Sequence, residues 1–109
     1  MDSAERVIQL QQLLKQSPDD SFLKFALALE YIAGGKDQDA LGLFHQIILH
    51  DPGYTGTYYH LGKLYERLND FGSSKKIYEE GLRRTSANEP RAHAELQEAL
   101  NALPGEHED

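Results

Sequence analysis

Thr57-Tyr58-Tyr59-His60-Leu61-Gly62-Lys63-Leu64-Tyr65 decides the fold, because Leu23-Lys24-Phe25-Ala26-Leu27-Ala28-Leu29-Glu30-Tyr31 precedes it at an offset of 34 with the same pattern. Leu27 aligns with Leu61, Ala28 with Gly62 and Tyr31 with Tyr65. The match continues through Phe44/Tyr78 and Ile48/Leu82, so residues 21–54 and 55–88 form two copies of one unit. A period of this length marks a helix–turn–helix unit that stacks on its neighbours, since one copy cannot bury its apolar face alone. Such arrays bind other chains across a surface more often than they run chemistry in a pocket.

Around the repeats, five breakers divide the chain into six helical segments, the last of them Ser86-Ala87-Asn88. The first opens on Asp2-Ser3-Ala4-Glu5, with the spacing of a reciprocal cap, and ends at Ser17-Pro18, where proline cannot continue the ladder. Asp19 and Asp20 cap the second helix, Gly34-Gly35-Lys36 turns the chain, and Asp37 starts the third. Asp51-Pro52-Gly53 repeats the earlier punctuation, and an Asn69-Asp70 turn separates the fourth and fifth helices. Pro90 stands in the first turn of the sixth, a position that tolerates it. No stretch alternates with a period of two, so no strand is predicted, and the short connections make successive helices antiparallel.

With 109 residues the chain reads as one domain, 1–109. It has no cysteine, which removes disulfides, thiolate metal sites and thiol nucleophiles together. Its formal charge of −7 disfavours nucleic acid and anionic membranes as partners. The basic cluster Lys75, Lys76, Arg83 and Arg84 encloses Glu79 and Glu80 at helical spacing, which makes it a salt-paired, solvated face. The N-terminus is too polar for a secretory signal, and no apolar run reaches the ~20 residues of a membrane span. The expected location is cytoplasmic.

These residues resemble the tetratricopeptide repeat. The second copy supplies Tyr58, Leu61-Gly62, Tyr65, Ser74, Tyr78 and Gly81, and departs at Ser86, where the motif has proline. The first supplies Leu27-Ala28, Tyr31, Ala40, Phe44 and Pro52, with Lys24 at a bulky position and Ile47 at a small one. Leu10, Leu13, Leu14 and Pro18 fall on the register of Phe44, Ile47, Ile48 and Pro52, so residues 1–18 look like the second half of a repeat. Ala92, Leu96, Ala99 and Leu103 form one stripe opposite Glu95, Gln97, Glu98 and Asn101, which makes 89–103 a capping helix. Residues 104–109 read as a frayed, disordered acidic tail. The resemblance, which extends to short stand-alone bacterial proteins of the family, implies an all-α, right-handed solenoid of about six antiparallel helices. That is two full units with a half-repeat at each end. Leu61, Tyr65 and Tyr78 are its expected core.

The resemblance also implies that the first helix of each repeat lines a concave groove for a peptide or helix of a partner protein. By register the groove residues are Phe22, Phe25 and Leu29, then Tyr59, Lys63 and Glu66. The subclass that clamps a C-terminal carboxylate is not expected, because Ala26 and His60 stand where asparagine belongs. The five histidines show no metal-binding spacing, and no phosphate loop is present, so neither a cofactor nor a metal is expected and the chain reads as a non-enzymatic module. A second expectation concerns self-assembly. Val7, Ile8, Leu10, Leu13 and Leu14 span an arc of about 220°, more than the ~100° one buried face needs. Val7, Ile8, Leu10 and Leu14 are accordingly candidates for a homodimer contact.

Overall fold

Aspartate caps set where three of the helices begin. The computed structural model describes residues 2–105, with six helices and no strand among them. They are α1 (Ser3–Gln16), α2 (Ser21–Ala33), α3 (Asp37–His50), α4 (Gly56–Arg67), α5 (Phe71–Thr85) and α6 (Pro90–Asn101). Asp2 accepts from the Glu5 N–H at 2.9 Å, and Glu5 accepts from the Asp2 N–H at 3.0 Å, which is the reciprocal cap read from the sequence. Asp20 caps α2 through the Leu23 N–H at 3.0 Å, and Asp70 caps α5 through the Ser73 N–H at 3.1 Å. Pro90 is the first residue of α6. The turns repeat as well: Gly35 (φ 77°) and Asn69 (φ 61°) hold equivalent places between paired helices, and both are residues that tolerate the left-handed region. Of the acidic tail expected over 104–109, residues 106–109 lie outside the described residues, His107 among them.

The chain divides between Tyr54 and Thr55 into two compact units, at the boundary between the two sequence repeats. In the first unit α2 packs against both α1 and α3. Leu27, Ala28, Ala40, Phe44 and Ile47 form its core, and burial of each large apolar side chain contributes about 1.5–3 kcal/mol. No residue of α1 is fully buried, and the Arg6 guanidinium and Ser3 hydroxyl both donate to Glu30 of α2 at 2.8 Å. Those bonds hold the Glu30 carboxyl below its usual range. Ser21 donates to Asp51 at 2.6 Å across the ends of α2 and α3.

In the second unit α5 packs against α4 and α6, and α4 also touches α6. Tyr58, Leu61, Leu64, Tyr78, Leu96 and Ala99 are buried. Two glycines allow this density. A methyl at Gly62 would fall 2.1 Å from Tyr78 Cε1, and one at Gly81 would fall 2.7 Å from Tyr58 Cβ. The Gly62 carbonyl accepts from the buried Ser74 hydroxyl at 2.8 Å, which ties α4 to α5 at the same point. Thr55 donates to Glu89 at 2.5 Å, a bond within this unit made by the residue equivalent to Ser21.

One side chain departs from the sequence reading, and two more stand where the repeats differ. Tyr65 is half-buried, not part of the sealed core beside Leu61 and Tyr78. It lies near the end of α4, where a phenol can pack one side of its ring and leave the other wet. Lys24 is buried, with 6% of its surface exposed. It takes the register of Tyr58, and Ile47, also buried, takes that of Gly81, so the first copy has two long side chains where the second pairs a ring with a glycine. On α6, Leu96 and Ala99 are buried while Ala92 is half-buried, as is Leu103 just beyond the helix, and Glu95, Gln97, Glu98 and Asn101 are exposed.

Candidate functional site

The groove residues named from register fall on α2 and α4, three in each unit. On α2, Phe22 is 62% exposed, a large aromatic left open to contact. Phe25 is half-buried. Its ring lies 6.1 Å from Phe44 and 5.6 Å from Tyr54, centroid to centroid, so it closes the core of its unit as well as offering an edge. Leu29 is half-buried one turn further on.

In the second unit Tyr59 and Lys63 line a cleft of about 450 Å³ between α4 and α6. The Lys63 ammonium lies 5.7 Å from the centroid of the Tyr59 ring and 3.8 Å from a Glu66 carboxylate oxygen. Glu66 also accepts a hydrogen bond from the hydroxyl of Tyr78, whose ring is fully buried. Burial first, and then the bonded carboxylate, pushes the Tyr78 phenol well above its usual range, so it stays a donor. The core thus orients Glu66, and Glu66 in turn holds Lys63.

His60 stacks edge-on against Tyr59 with centroids 5.5 Å apart. Burial lowers its pKa, and Glu95 opposes that shift. The far wall of the cleft is α6, with Glu95, Glu98, Ala99 and Ala102. Sequence reading treated those carboxylates as a solvating surface and did not join them to Tyr59. Nothing in the local pattern could have done so, because the contact depends on how α6 returns across α4.

The other candidates separate. On α1, Val7, Leu10 and Leu14 are half-buried, and Ile8 is 55% exposed. Ile8 and Val7 line an apolar cavity of about 410 Å³ with Ala4 and Tyr31. Arg83 and Arg84 both bond to Glu80, at 2.6 and 2.9 Å, in keeping with a salt-paired face on α5. His45 and His50 are exposed on α3, and His93 lies 3.0 Å from the Thr85 hydroxyl. No three His, Asp or Glu side chains among the described residues gather as a metal site, and none of the described helices is long and apolar enough to cross a membrane.

Comparison with known proteins gives a consistent result. Residues 2–60 match the family model described as tetratricopeptide repeat. A crystal structure of a tetratricopeptide repeat domain protein from Salinibacter ruber is 38% identical, over 75% of this chain and 92% of that one, with a TM-score of 0.70. A solution structure of a tetratricopeptide repeat domain protein from Salinibacter ruber is 39% identical, over 77% of this chain and 86% of that one, with a TM-score of 0.73. No curated protein matches the chain.

Proposed function

This chain belongs to the tetratricopeptide repeat family, and we propose that it is a non-enzymatic module that binds a peptide or helix of a partner protein through the first helices of its repeats. The family fold suggests an interaction or scaffold role. The observation that carries the finer reading is the α4–α6 cleft, where an aromatic ring stands beside an oriented Lys63–Glu66 pair. Rigid aromatics in preformed recesses supply most of the energy in protein interfaces. Phe22, Phe25 and Leu29 on α2 are the equivalent candidates in the first unit, taken by itself. Contact with nucleic acid is disfavoured by the charge of −7, and the cytoplasm remains the proposed location.

Affinity capture with the whole chain tests this, with Tyr59→Ala as the control variant. Tyr59 is only part-buried, so truncation should weaken partner binding by roughly 30-fold while leaving helicity intact. Charge changes at Lys76 or Glu79, on α5, should matter little. A partner indifferent to Tyr59→Ala but lost with the α5 charges would move the binding face.

A second reading is favoured by Ile8, whose exposed side chain borders the apolar cavity at the start of α1. It makes α1 a contact between two copies of the chain, with Val7, Leu10 and Leu14 at its edge.

A further inference from the structure

The cleft between α4 and α6 carries more negative charge than it neutralises. Lys63 is the one cation on its lining, and Glu66, 3.8 Å away, takes up that charge. Glu95 and Glu98 line the opposite wall, three residues apart on α6, and neither side-chain carboxylate forms a hydrogen bond or ion pair among the described residues. His60 is the histidine that senses Glu95, and burial biases it toward the neutral form, so it offers little compensation. Ala99, Ala102 and the Tyr59 ring complete the lining of the cleft. That ring already seats an ammonium group, the chain's own Lys63, at 5.7 Å.

We propose that this cleft takes a lysine or arginine side chain of the partner segment. The ring and the alanine methyls suit the aliphatic stem, and the carboxylates suit the charge at its end. An acidic side chain would meet two like charges there. A purely apolar one would strip water from Glu95 and Glu98 and return nothing for it. Lys63 does not fill the place itself, because Glu66, fixed by Tyr78, holds its charge on the α4 side. The whole-chain charge of −7 acts in the same direction, since it speeds encounter with basic segments. This inference rests on the reading that the first-helix faces bind a partner, and it adds the chemistry of that partner.

The test uses the full chain labelled with ¹⁵N and three capped peptides, Ala-Leu-X-X-Leu-Ala, in which X is lysine, glutamine or glutamate. Amide shifts at Tyr59, Lys63, Glu98 and Ala102 should saturate with the lysine peptide, at an affinity roughly tenfold or more above that of the glutamine peptide. Added salt should reduce the difference, and the glutamate peptide should bind least. The double substitution Glu95→Gln/Glu98→Gln, on exposed positions, should remove the preference without changing the far-UV spectrum. Equal binding of the lysine and glutamine peptides at these amides would overturn the cationic inference and leave the binding face standing. A lysine preference that survives the double substitution would overturn it too. If no peptide moves these amides, both readings fall.

Discussion

Replacing Gly62 with alanine separates tertiary packing from helix propensity, because the two act in opposite directions. In the interior of α4, alanine is favoured over glycine by about 1 kcal/mol. The added methyl, however, would lie 2.1 Å from Tyr78 Cε1 and 2.6 Å from Cδ1 and Cζ, well inside van der Waals contact. Tyr78 is fully buried and its hydroxyl is engaged by Glu66, so the ring has no free direction in which to swing. The relief left is for α5 to move away from α4. That costs about 1–3 kcal/mol as overpacking, and it stretches the 2.8 Å bond from Ser74 to the Gly62 carbonyl, whose loss is worth about 1 kcal/mol. Net destabilisation should be about 1–3 kcal/mol, a fall of roughly 5–20 °C in Tm for a chain of this size. Gly42 supplies the control. It lies inside α3 with nothing within 4 Å of the position a methyl would take, so Gly42→Ala should stabilise by about 0.5–1 kcal/mol. Thermal melts followed by far-UV circular dichroism at matched concentration would compare the two. A Gly62→Ala protein that melts at or above the parent would refute the close α4–α5 approach.

Thr57 has a buried hydroxyl with no hydrogen-bond partner among the described residues, so Thr57→Val should raise stability by about 1 kcal/mol in urea denaturation; a loss would mean the hydroxyl is satisfied. His60 titrates below its ordinary value near 6.5 because of burial, so the unfolded chain takes up the proton first. Its contribution to stability should be complete above about pH 6.5 and decline as pH falls toward the folded value. His60→Gln should flatten the urea midpoint between roughly pH 7.5 and 5.5, and an unchanged slope would assign the dependence to other groups. If α1 mediates contact between copies, Tm should rise with protein concentration and Leu10→Glu should abolish the rise. Sedimentation of a monomer at all concentrations would remove that reading.

While the fourth helix begins at Gly56, two residues after the Tyr54 at which the pattern begins, the sequence by itself determined the helices, the starts of three of them and their pairing. Each depends on groups a few residues apart: Asp2 with Glu5, Asp20 with Leu23, Asp70 with Ser73, and the left-handed residues Gly35 and Asn69. Repetition at an offset of 34 then placed Leu61, Tyr78 and Gly62 in contact positions, because the same packing problem recurs in each copy. Only the tertiary structure decided which ring is sealed and which stays wet. Tyr58 and Tyr78 are fully covered because Gly81 and Gly62 admit them, whereas Tyr65, equally prominent in the motif, is only half-buried. Only the tertiary structure, too, joined Glu95 and Glu98 to Tyr59, some forty residues away. A carboxylate on the outer face of a helix carries no local mark of the ring it will stand beside. That neighbour is set by how α6 docks, which depends on Leu96 and Ala99 filling the core beneath it.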